Sequence, residues 1–383
     1  MPTFFSFLLQ ELKRIFHDEG LLIFLLLVPL GYPLLYTFIY NNETVREVPV
    51  VAVDLSDTSQ SRQFLRMTDA TPDVNIILRT NNMNEAKQLM KQGDAYGIIY
   101  LPSEFSRQIH TEQQTHITLY CDMSGLLYYK ALLMACTDVS LQMNHTIQAQ
   151  LLSGATPREI AINTVPIRYK DIALYNPQTG IASFLIPAVL ILIIQQTLLL
   201  GAGLTAGTDR DRHLPLSQAF SVSRLTARAL AYLLVTSTTS AWILIGVPYL
   251  FSLPQLANAT TLALFIFPYL LSCIFFALTL ARLVPNREAC MLLFVFTSVP
   301  LLFLSGISWP ESNIPVLWKL FSWLFPSTFG INGYVRINSM GASLLEVRTE
   351  WFALWIQAGI YFLTALIPYK KLGKSKKHLH FDN

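Results

Sequence analysis

The chain has 383 residues, 52% of them hydrophobic and only 13% Asp, Glu, Lys or Arg, with a net charge of +3. Soluble domains carry about 25% charged residues, so this composition excludes an ordinary soluble protein and points to the membrane. So small a net charge, with no basic patch interleaved with aromatics, also argues against a nucleic-acid partner.

In chain order, "FFSFLLQELKRIF" places Phe4, Phe5, Leu8, Leu9, Leu12, Ile15 and Phe16 at helical spacing, with Gln10, Glu11, Lys13 and Arg14 largely between them. Residues 1–19 are expected to form an amphipathic helix in the inner membrane interface, broken at "HDEG". Nothing is charged between Glu19 and Glu43. That window holds the roughly 20 apolar residues a bilayer crossing needs, which gives a first span over 20–41. It lacks a small-x-small cleavage site and reads as an uncleaved anchor rather than a signal peptide.

Residues 42–178 differ in kind. "VPVVAVD", "VNIILR", "YGIIYLP" and "HITLYCD" read as strands, separated by the helical patterns "TSQSRQFLRMTD", "MNEAKQLMKQGD" and "SEFSRQIH". A long helix over Leu126 to Leu152 follows. Alternation of this kind predicts an α/β domain with a small sheet. Cys121 and Cys136 both fall in it, and their spacing alone does not decide whether they pair.

Residues 179–369 hold four more uncharged windows, the one between Arg228 and Arg282 long enough for two spans, with spans expected near 181–206, 227–251, 260–282, 288–306 and 350–369. Lys and Arg set the orientation. Lys13, Arg14, Arg210, Arg212, Arg224, Arg228, Arg282, Arg287 and five lysines of the 370–383 tail fall on one side, against Lys319, Arg336 and Arg348 in the short segments of the other. Both termini are therefore expected inside and the α/β domain outside. The fold class is a polytopic α-helical membrane protein of six transmembrane helices, with an extracytoplasmic α/β domain inserted between spans one and two.

No catalytic or metal-binding constellation emerges. "LGKS" (Leu372 to Ser375) ends like a phosphate-binding loop, but Pro368 stands where that loop needs its first glycine. His378 and His380 supply two ligands in a tail, too few for a metal site. The spans carry polar but uncharged groups, notably Gln195 and Gln196, the usual glue between membrane helices. Ion-coupled transporters need titratable groups at that depth. Any active transport must then draw its energy from another subunit, and neither a cofactor nor enzymatic activity is expected of this chain.

Two segments carry a family likeness. "GTDRDRHLPLSQAFSVSR" (residues 207–224) is a charged, then amphipathic, loop between spans two and three. "SGISWPESNIPVLWKLFSWLFPSTFGINGYVRINSMGA" follows span five, and its prolines forbid a continuing helix. Together with one span, a large domain and five further spans, these segments resemble the type-2 ABC exporter permeases, on the multidrug-like branch with a large extracytoplasmic domain.

The resemblance implies an ATPase-coupling set of Lys13, Arg14, Asp209, Arg210, Asp211, Arg212 and His213. It also implies an outer re-entrant segment over 306–340 marked by Gly306, Trp309, Pro310, Pro315, Trp318 and Pro326. The expected partners are a cytoplasmic ABC ATPase subunit, a second permease copy or paralogue forming a dimer, membrane lipids and a periplasmic adaptor protein. The implied function is export of a small hydrophobic or amphipathic compound across the bacterial cytoplasmic membrane. The alternative is a membrane-anchored envelope scaffold or sensor whose exported domain is the working part.

Overall fold

The computed structural model describes residues 4–41, 44–111, 113–123, 125–151, 174–176, 180–211, 222–307, 309 and 311–366. The chain divides into two compact units, one of residues 1–43 and 173–383, the other of residues 44–172.

The second unit is a four-stranded sheet in the order β2-β1-β3-β4, built from β1 (Val48–Asp54), β2 (Val74–Thr80), β3 (Gly97–Leu101) and β4 (Thr118–Cys121). β1 runs parallel to both neighbours, and β4 is antiparallel to β3. Parallel neighbours need crossover helices. α3 (Ser59–Asp69) and α4 (Met83–Gln92) supply them. Phe64 and Leu65 of α3, Phe105 of α5 (Phe105–His110) and Leu132, Ala135 and Val139 of α6 (Leu126–Leu151) pack with Val48, Val50 and Ala52. Ala86 of α4 packs with Val51, Val53 and Ile98 in a separate cluster. β1 is thus buried on both faces, which explains its nearly continuous apolar run. The four strands and four helices fall on the stretches whose patterns alternate in the sequence. Cys121 and Cys136 are both free, and burial, then the neighbouring Cys121, pushes the Cys136 thiol up to about 12.

The first unit is helical. α1 spans Phe4–His17 and ends where Asp18 caps the next helix, its carboxylate accepting the Gly20 and Leu21 N–H groups at 3.0 and 3.2 Å. Among the described residues, five helices are long and apolar enough to cross a membrane: α2 (Glu19–Tyr40), α7 (Ile181–Asp211), α8 (Val222–Leu250), α9 (Ala259–Leu283) and α10 (Arg287–Leu304). After α10 come two shorter helices, α11 (Val316–Ser322) and α12 (Pro326–Met340). The last, α13 (Arg348–Leu366), has 19 residues and includes Glu350 and Gln357, which lower its apolar character. α7 is the central helix, with 89% of its apolar window buried, against 13% for α10.

Prolines within these helices release carbonyls that a bilayer cannot hydrate. Side chains from elsewhere take them up. The Leu244 carbonyl, four residues before Pro248, accepts from Gln255 Nε2 at 2.8 Å. That of Leu264, four before Pro268, accepts from Trp351 Nε1 at 3.0 Å. α2 and α8 each widen into a π turn, at Ile23–Leu27 and Trp242–Gly246, ending two residues before Pro29 and Pro248. The missing N–H at each proline explains that shared placement.

Candidate functional site

Two polar constructions stand out in the helical unit. The first joins α1 to two long helices. Asp209, in the last turn of α7, accepts from Arg14 of α1 at Oδ1 (2.6 Å) and from Arg228 of α8 at Oδ2 (3.1 Å). Arg228 also reaches Glu11 of α1 at 2.9 Å. Arg14 donates further to the Thr205 carbonyl at 3.1 Å, and Thr205 Oγ1 lies 2.7 Å from the Tyr232 hydroxyl. One carboxylate thus fastens α1, α7 and α8 together. Charges buried this far are tolerated only when paired, and Glu11 is 5% exposed.

A second pair extends this seam to α10. Arg287 holds Asp18 through two bonds, 2.6 Å to Oδ1 and 3.0 Å to Oδ2, and donates to Thr208 Oγ1 at 3.1 Å. Burial alone would raise the Asp18 carboxyl. The Arg287 guanidinium and the Leu21 and Gly20 N–H groups outweigh it and hold the group below its usual value. α7 and α10 meet closely here: a Cβ at Gly207 would lie 2.7 Å from the Arg287 nitrogen, which only glycine avoids. At the far end, Arg210 donates to the Arg282 carbonyl, while Arg282 donates to those of Thr364 and Ala365 near the end of α13.

Of the residues expected to contact an ATPase, Arg14 and Asp209 are therefore bonded to each other and Arg210 is turned onto Arg282. Lys13 and Asp211 are exposed. Arg212 and His213 lie outside the described residues. The expected loop over 207–224 is shorter than its sequence suggests: Gly207–Asp211 continue α7, and Val222 onward belongs to α8. Thr208 lies within the helix with its hydroxyl bonded back to the Leu204 carbonyl at 2.9 Å.

The second construction is the α11–α12 hairpin, at the expected re-entrant segment. α10 ends at Leu304, and Gly306 takes φ +84, a left-handed value suited to glycine. Pro315 caps α11 and Pro326 opens α12 at its first position, where a missing N–H costs nothing. Trp309 and Trp318 are exposed, and Pro310 lies outside the described residues.

The hairpin turn would leave backbone groups unpaired, and the long helices satisfy them. Gln195 Oε1 of α7 accepts the Ser327 N–H at 2.7 Å, and its Nε2 donates to the Ser327 hydroxyl at 3.1 Å. Gln357 of α13 donates to the Trp323 carbonyl at 2.7 Å and accepts from Ser272 of α9 at 3.3 Å. Tyr361 donates to the Leu324 carbonyl. α12 then lies directly on α9. Cβ atoms at Gly330 and Gly333 would enter the rings of Tyr269 and Phe265.

Glu11, Asp18, Arg228 and Arg287 are absent from the expected coupling set. For Glu11 a signal exists, since it stands three residues after Leu8 and four before Ile15, on the face that packs inward. A family model described as "ABC-2 family transporter protein" matches residues 20–367. No curated protein matches the chain.

Proposed function

The chain belongs to the ABC-2 family of transporter proteins, and from that premise we propose that it is the permease subunit of an ATP-driven exporter for a small hydrophobic or amphipathic compound. Membership makes it the multi-pass membrane component of an ABC transporter, a class whose ATP hydrolysis generally resides in a separate ATPase.

The observation that carries the coupling part of this reading is the double role of Asp209. A force applied near the end of α7 is passed through Arg14 and Arg228 to α1 and α8, so an ATPase pressing there moves three helices as one body. In this reading Lys13, Asp211, Arg212 and His213 meet the ATPase. Arg14, Asp209 and Arg210 hold the lever rather than touch the partner.

α13 completes six spans, which puts both termini in the cytoplasm of a bacterial inner membrane and the α/β unit outside. There the unit would meet an adaptor and pass cargo onward. A second permease copy would cover α10, where Phe296, Val299 and Phe303 are all more than half exposed. Affinity purification of the full chain from native membranes in mild detergent tests the assignment. A cytoplasmic ABC ATPase should co-purify and hydrolyse ATP faster once both are reconstituted in liposomes. Purification without any ATPase would overturn it.

A further inference from the structure

Between the end of α10, the α11–α12 hairpin and the start of α13 lies a cavity of about 210 Å³. Ser305, Trp323, Thr328, Asn332, Thr349 and Glu350 line it. One water needs only about 10–15 Å³, so the space suits a polar group of several heavy atoms.

Glu350 is half used. Its Oε1 accepts from Arg336 Nη1 at 2.9 Å, and Arg336 is steadied by its own bond to the Glu346 carbonyl at 2.7 Å. Its Oε2 is buried and has no hydrogen-bond partner among the described residues. A carboxylate oxygen accepts only, so what it lacks is a donor, and a charged acceptor left bare is costlier than a neutral one. Neighbouring hydroxyls are directed elsewhere: Ser322 donates to the Lys319 carbonyl and Thr328 to that of Ser322. Trp323 and Phe329 bring aromatic rings to the same cavity, and ring faces favour a cation. Lys319 also lines the cavity and adds positive charge, so a cation carrying its own anionic neighbour fits better than a bare amine.

We propose that this cavity binds a phosphoethanolamine-type headgroup, whose primary ammonium donates an N–H to Glu350 Oε2 while its phosphate lies toward Lys319. Leu320 and Leu324, on and just after α11, are more than half exposed and offer the attached tail an apolar surface. Two sources share this chemistry: a two-chain bilayer lipid, or a single-chain amphiphile of the kind the exporter would move. The proposal rests on the proposed permease arrangement, in which this hairpin is the outer re-entrant segment. Its test measures binding alone, so its failure would leave the permease assignment standing.

The full chain in neutral maltoside micelles is titrated with phosphatidylethanolamine, with phosphatidylcholine of the same acyl chains, and with a single-chain alkyl phosphoethanolamine, each followed by thermal unfolding. Phosphatidylcholine has no N–H to donate and should bind at least tenfold more weakly than phosphatidylethanolamine. Glu350→Gln keeps an acceptor for Arg336, removes the charge and should erase that preference. Thr349→Val leaves the Glu350–Arg336 pair intact and should weaken phosphatidylethanolamine severalfold, which keeps the test open should Glu350→Gln fold poorly. Equal binding of the two lipids by the unaltered protein, or undiminished binding by both variants, overturns the proposal. Given the preference, equal binding of the single-chain compound supports a cargo site, and binding of the two-chain lipid alone supports a lipid site.

Discussion

Gln195, midway along the central helix α7, accepts the backbone N–H of Ser327 and returns a hydrogen bond to the Ser327 hydroxyl, at 2.7 and 3.1 Å. Ser327 lies in the first turn of α12, where backbone donors have no partner within the helix. A side chain from a distant span therefore performs the capping that water would perform in a soluble protein. Both Gln195 and Ser327 are fully buried. Gln195→Leu should cost about 1–3 kcal/mol, the penalty for stranding a buried donor. Thermal unfolding in detergent reads that loss. Equal stability of Gln195→Leu and the unaltered protein would remove the capping role.

The hairpin is held on its other side by shape. Gly333→Ala should drive a methyl group into the Phe265 ring, an overpacking that typically costs about 1–3 kcal/mol. Phe265→Leu should be destabilising alone and should recover stability when combined with Gly333→Ala. The combined variant separates a close helix contact from a general intolerance of substitution at position 333.

The strands and the five longest apolar helices were legible in the sequence because both follow from short-range periodicity. β1 shows its apolar run, and a charge-free window marks α7. The constructions that matter for function depend on residues far apart in the chain, and periodicity is silent about them. Arg228 and Arg287 count in the sequence only as charges that orient a membrane protein. In the fold each closes an ion pair with α1 or with the residue that follows it, across 217 and 269 residues. Gly207, Thr208 and Asp209 look like loop chemistry, yet they remain helical, with Asp209 held by the Arg14 and Arg228 guanidinium groups. Gln195 was recognisable as glue between helices, but its partner, a backbone N–H of α12, was not. The Glu350 cavity was invisible, since it needs α10, α11, α12 and α13 in place.

Arg14 and Asp209 form one leg of the three-helix seam, so their contributions should not be additive. In a double-mutant cycle, Arg14→Ala and Asp209→Ala should show a coupling of about 0.5–3 kcal/mol. Asp209→Ala should be the worse single change because it takes a partner from both Arg14 and Arg228. If this pair carries the push of an ATPase, both variants should insert normally and bind the ATPase, yet lose stimulation of its hydrolysis by the permease. Additive effects on stability with stimulation retained would make the seam a passive fastening.

The Asp18–Arg287 pair predicts a pH dependence. A carboxyl whose value is lowered by folding contributes stability throughout the range above its unfolded value, about 4, and loses that contribution as pH falls through the lowered folded value. The gap in melting temperature between the unaltered protein and Asp18→Asn should therefore be constant from pH 8 to pH 5 and should close only below about pH 4. A gap that closes near neutrality would mean that another group governs this end of α2.

The arrangement in the membrane can be tested at three exposed or terminal positions. In a Cys121→Ser background the remaining native cysteines are all buried, and burial slows reaction by keeping thiols protonated and out of reach. Lys87→Cys lies on the exposed side of α4 in the α/β unit, Asp211→Cys at the exposed end of α7, and Ser375→Cys in the basic tail. In the proposed arrangement α7 crosses the membrane between these two positions of the chain, so they should label from opposite sides with an impermeant maleimide. In intact spheroplasts Lys87→Cys should react at once and Asp211→Cys only after lysis. Ser375→Cys decides the number of spans. If α13 crosses, the tail shares the side of Asp211 and is protected; if only the five longer helices cross, it reacts together with Lys87→Cys. Labelling of Lys87→Cys and Asp211→Cys from the same side would defeat the orientation. Early labelling of Ser375→Cys alone with Lys87→Cys would keep the orientation and remove the sixth span.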